Sequence, residues 1–95
     1  MLLVHLPLAG DTGLAATESE AALLQDAIWA HAGPEHALEH LRVRPLEHGM
    51  NVALFLRAKD MTSARDQAFG LLRQVLGSGA AHGYHLAPAR EGRPM

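Results

Sequence analysis

Residues 51–58, NVALFLRA, form the clearest strand in the chain, and the fold is read outward from them. Val52, Leu54 and Leu56 point one way, while Ala53, Phe55 and Arg57 point the other, the alternation of a strand with one buried face. Upstream, residues 45–50 (PLEHGM) supply turn chemistry through Pro45 and Gly49. Residues 38–44 (LEHLRVR) then read as the preceding strand, with Leu41 and Val43 inward and His40, Arg42 and Arg44 outward. A helical turn over residues 34–41 is the alternative, and it would shorten that strand.

Helices flank this pair. Thr17 and Glu20 make a T-x-x-E capping box, after which Ala21, Leu24, Ala27, Ile28 and His31 recur at helical spacing until Gly33-Pro34 stops the run. The expected helix covers about residues 18–32. A second helix is expected from about Ser63, capped by Asp60, Thr62 or Ser63. Its buried stripe is Ala64, Ala68, Leu71, Leu72 and Val75, widened by Phe69 and Leu76 and ended by Gly77 and Gly79. The first and last strands are residues 1–6 (MLLVHL), expected to stop at Pro7 or to continue past it only as an edge, and residues 82–87 (HGYHLA), closed by Pro88. Residues 89–95 carry little to bury and are expected to be disordered.

The order β-α-β-β-α-β predicts an α+β fold, a ferredoxin-like plait with a four-stranded antiparallel sheet and two helices on one face. At 95 residues the chain is expected to be one domain over residues 1–88. A chain of this size buries roughly 60–65% of its unfolded surface, enough without a staple. Cysteine is absent, which excludes disulfides and thiolate metal sites. Residues 2–9 are too short an apolar run to span a bilayer and lack basic flanks, so a cytoplasmic location without membrane attachment is expected. Eight basic against ten acidic residues give a net charge of −2, which disfavours nucleic acid as a partner. Seven of those eight are Arg, in keeping with a GC-rich coding sequence.

A plait leaves the other sheet face bare. That face would carry Leu3, His5, His40, Arg42, Arg44, Ala53, Phe55 and Arg57, with His85 near its margin. Self-association, with Phe55 and Leu3 at the seam, is one explanation for such a surface. A ligand site using His5, His40 or His85 is another. Base stacking on the sheet is the third, but Phe55 is the one aromatic there and the strand signature of RNA-recognition motifs is absent. Trp29 falls beside the buried stripe of the first helix and is a second candidate interface residue.

Seven histidines invite a metal reading. The closest pairs are His36 with His40 and His82 with His85. On an extended chain the first pair stands roughly 13 Å apart, too far for one ion, and no zinc-binding H-E-x-x-H pattern occurs. No metal ligand set and no cofactor is assigned. A site assembled from His5, His40 and His85 across the sheet is the remaining metal arrangement. The loop Gly10-Asp11-Thr12-Gly13 lacks a Walker lysine and reads as a connecting turn. No isolated carboxylate pair or activated nucleophile is visible, so catalytic residues are unassigned. An enzyme here would use His5 or His40 for acid–base work and Arg42 or Arg57 for an anionic substrate. The leading expectation is a non-catalytic interaction or regulatory module that homodimerises through its open sheet face and docks on a protein partner. The alternative is a dimeric α+β-barrel small-molecule binder or enzyme with histidines in its cavity.

Overall fold

In the computed structural model, which describes residues 1–11 and 15–87, two hairpin-joined strands sit at one side of a four-stranded sheet. The elements run β1 (Leu2–Gly10), α1 (Glu18–His31), a 3-10 turn (Pro34–His36), β2 (Leu38–Leu46), β3 (Gly49–Leu56), α2 (Met61–Gly77) and β4 (Tyr84–Leu86). The spatial order is β2-β3-β1-β4, and every neighbouring pair is antiparallel. The expected α+β class with a four-stranded antiparallel sheet and two helices is what the chain adopts.

Alternation decides which face is buried. Val4 lies opposite Leu54 and Leu6 opposite Val52, while Leu41 and Val43 meet the same two β3 residues from the far side. These side chains join Leu24 and Ile28 of α1 and Leu71, Leu72 and Val75 of α2 in one core, so both helices cover the same face. Thr17 caps α1 through the anticipated box: its backbone N–H donates to Glu20 Oε1 at 2.9 Å, and Glu20 N–H donates to Thr17 Oγ1 at 3.0 Å. Asp60 caps α2, accepting from Ser63 N–H at 2.8 Å, so that helix starts two residues earlier than its periodicity suggests.

All four strands have bounds other than those the sequence predicts; β3 runs Gly49–Leu56 in place of 51–58, so it starts directly after the hairpin turn and leaves Arg57 and Ala58 beyond its end. β1 continues through Pro7 to Gly10, and β2 runs through Pro45 to Leu46, leaving Glu47-His48 as the hairpin turn. The 3-10 turn at Pro34–His36 exists, yet it precedes β2 without shortening it. β4 is only three residues, because a turn with positive φ at Ala81 and Gly83 occupies the chain up to it. Residues 89–95, expected to be disordered, lie outside the described residues, as do Thr12 and Gly13 of the glycine loop.

Both prolines fit because of register. Gly10 N–H donates to His48 C=O, so the even residues of β1 bond toward β3. Asp11 N–H donates to Gly83, and Pro7 C=O accepts from Ala87 N–H at 2.9 Å, so the odd residues face the opposite side. The donor that Pro7 lacks is therefore not one the β1–β3 ladder uses. Pro45 alternates in the same way and faces outward from edge strand β2.

Candidate functional site

The face opposite the helices is built in rows across the sheet. His40, Phe55 and Leu3 form one row; Arg42, Ala53 and His5 form the next; Arg44, Asn51 and Pro7 the third. The strand period that sends Val52, Leu54 and Leu56 into the core sends these side chains outward. Leu3 is 39% exposed. The His40 ring rests against Phe55 with centroids 5.4 Å apart and planes tilted by 43°. Asn51 Nδ2 donates to His5 Nδ1 at 3.0 Å, which fixes the imidazole over the middle of the face.

The expected site residues separate into three places. Leu3, His5, His40, Arg42 and Phe55 share this face. Arg57 follows the end of β3 and pairs with Glu39 at 2.7 Å, so its charge is already answered at the margin. Trp29, 43% exposed, belongs to α1 and therefore to the helical layer. Leu23, the most exposed large aliphatic on that helix, carries no sequence signal that separates it from the buried Leu24 except its phase.

On the sheet face Arg42 and Arg44 stand in line along β2; α1 carries the acids Glu18, Glu20 and Asp26, and α2 carries Asp66 together with Arg65 and Arg73. Asp11, beside the face at the β1–β4 corner, bonds His85 Nδ1 at 3.0 Å.

The histidines do not converge. His36 is 7% exposed and occupies the 3-10 turn, where its Nδ1 accepts Gly33 N–H at 2.9 Å, which makes it a structural cap. His31 Nδ1 bonds the Ala27 carbonyl one turn back on α1. His82 lies in the turn before β4, and His85 at the sheet corner. Among the described residues no group of three or more His, Asp or Glu could hold a metal ion. Among them also, no helix is long and apolar enough to cross a membrane.

A groove runs beside His5 between the outer side of β1 and the start of α2, lined by Leu3, Val4, His5, Met61, Thr62 and Arg65. Phe55 and His40 do not line it, so it is not the cavity that a barrel-type ligand site would place over the centre of the sheet. No protein-family model matches the chain, and neither a curated protein nor a solved structure matches it.

Proposed function

We propose that this chain is a ferredoxin-like plait serving as a non-catalytic interaction module that homodimerises through its open sheet face. The observation that carries the proposal is the row Leu3–Phe55–His40, an apolar and aromatic strip on the face that neither helix covers. The ferredoxin-like reading is supported by β1 and β3 lying side by side in the centre, with β2 and β4 at the edges. Arg42 and Arg44 lie beside the strip on edge strand β2, at the rim of a face-to-face contact, and their charges favour docking of an acidic surface on a further protein partner.

Sedimentation velocity on tag-free protein tests this. The parent is expected to sediment as a dimer or larger assembly, and Phe55→Glu to lose the face contact, because it takes the ring out of the strip and puts there a carboxylate that must be desolvated at the seam. A Phe55→Glu protein that is folded and assembled as fully as the parent overturns the reading. Native mass spectrometry separates the alternative: a reproducible bound small molecule would favour the ligand-binding barrel.

A further inference from the structure

Among the described residues the sheet has two edges without a neighbouring strand, β2 and the first half of β1, and they are not equivalent. On β2 two of the outward-facing positions are guarded. Val43 N–H is taken by Gln25 Oε1 of α1 at 3.4 Å, and Pro45 has no N–H to offer. β1 is treated differently. β4 pairs with Leu8, Ala9 and Gly10, and among the described residues the last bond on that side joins Ala87 N–H to Pro7 C=O. From Leu2 to Leu6 the outer side of β1 therefore has no strand beside it among the described residues. By the alternation established above, the backbone groups pointing out along this stretch are the N–H and C=O of Leu3 and of His5. None of them has a backbone partner among the described residues. The stretch holds no Pro, Lys, Arg, Asp or Glu, the residues that ordinarily blunt an edge.

We propose that this edge pairs with the same edge of a second copy, giving a contact separate from the face-to-face one. The register is self-complementary. In an antiparallel two-fold pair centred on Val4, Leu3 lies opposite the second copy's His5 and His5 opposite the second copy's Leu3. Each such couple exchanges both of its main-chain hydrogen bonds. The paired span is then Leu2–Leu6, the length of β1 that β4 leaves uncovered; a longer overlap would meet Ala87 at Pro7. Apolar side chains stand ready on both sides of the seam. Leu3 lies on the sheet face, and Met61, 44% exposed, lies across the groove at the start of α2. The result is one continuous sheet in which the open faces of two copies lie side by side, so edge pairing and face packing together build a dimer of dimers.

The test is sedimentation velocity on the parent, His5→Pro, His5→Ala and Phe55→Glu. His5→Pro removes an outward N–H and leaves the β1–β3 ladder untouched, as Pro7 already does. It is expected to weaken the edge contact about 30-fold, since one hydrogen bond is lost in each direction. His5→Ala takes the same imidazole from the sheet face but keeps that N–H, so it is the reference against which the loss in His5→Pro is read, and it is expected to retain the edge contact. Phe55→Glu is expected to stop at the edge-paired dimer. A folded His5→Pro protein that assembles like the parent overturns the proposal, and so does a Phe55→Glu protein that is monomeric throughout; the second result leaves the face reading standing. Phe55→Glu unchanged from the parent sinks the face reading and leaves the edge contact intact. Should His5→Pro not fold, amide exchange on the parent decides: protection of Leu3 and His5 that rises with protein concentration supports pairing, and concentration-independent exchange overturns it. Association seen only after truncation at Ala87 would show that residues 88–95 hold the edge, which also overturns it.

Discussion

The Tyr84 hydroxyl donates to Glu20 Oε1 at 3.2 Å, the oxygen that also receives Thr17 N–H in the α1 capping box. One carboxylate thereby fastens the last strand to the first turn of the first helix. β4 has only three residues in the ladder, and this side-chain tie adds to the packing of Tyr84 and Leu86 on the core in holding it against the helical layer.

That contact has a pH signature. Partial burial, then the Glu20 hydrogen bond and its negative charge, raise the Tyr84 pKa above 10.0. The fold favours the neutral phenol, so the stabilisation is fully present below pH 10 and is lost as pH rises through the elevated value. Tyr84 is the one tyrosine in the chain, so ultraviolet titration of tyrosinate reads it directly. Glu20→Gln keeps a capping-box residue while removing the charge, and is expected to bring the titration back toward the ordinary tyrosine range. An unchanged midpoint in that variant would refute the pairing.

Gly49 is required by close approach. It begins β3 opposite Leu46, is buried, and a Cβ on it would run into the Leu8 carbonyl oxygen of β1. Since the obstacle is backbone, relaxation has to move a strand. Gly49→Ala is expected to cost about 2–3 kcal/mol in urea denaturation. Gly70 makes the control: it lies in α2 with open space around it, and Gly70→Ala is expected to be neutral or stabilising by up to ~1 kcal/mol.

The helices were legible in the sequence because their signals are local. The Thr17–Glu20 box, the Gly33-Pro34 stop and the stripe from Ala64 to Val75 each depend on neighbours within a turn or two. The open face was legible for a related reason, since alternation in β2 and β3 separates Leu41, Val43, Val52 and Leu54 from Arg42, Ala53 and Phe55. Strand ends were not legible. Whether Pro7 or Pro45 breaks a strand depends on which side its missing N–H would face, and that is fixed by pairing between distant segments. The burial of His36 and the short reach of β4 along β1 are non-local in the same way. The first follows from packing of the turn against α2, the second from the register in which β4 meets β1, at Leu8–Gly10.

Gln67 stitches three elements at one point. Its Nε2 donates to His36 C=O at 2.7 Å and lies 3.4 Å from Arg57 C=O, joining α2 to the 3-10 turn and to the end of β3. The neighbouring Ala37 holds a left-handed conformation with φ 52, so the turn has backbone strain to be held against. Gln67→Leu preserves volume but leaves the part-buried His36 carbonyl without its donor. A loss of about 1–3 kcal/mol is expected, with faster amide exchange at Arg57, whose N–H bonds Ala37 C=O at 2.9 Å. Stability within experimental error of the parent would show that water replaces the amide at no cost.

Trp29 distinguishes the sheet layer from the helical layer as the site of self-association. It is the one tryptophan in the chain and sits on α1, whose buried side chains Ala21, Leu24 and Ile28 point into the core beneath the sheet. Association through the open face or the β1 edge adds nothing to the surroundings of α1. Its fluorescence maximum is therefore expected to stay constant as the protein is diluted through dissociation, and Trp29→Ala is expected to keep the parent's assembly. With 43% of its surface already exposed, truncation of the indole removes less packing than a core substitution such as Leu54→Ala, for which about 2–5 kcal/mol is expected. A blue shift of the emission on association, together with loss of assembly in Trp29→Ala, would move the interface to the helical layer. It would make the indole the anchor and leave the strip of Leu3, Phe55 and His40 to a different partner.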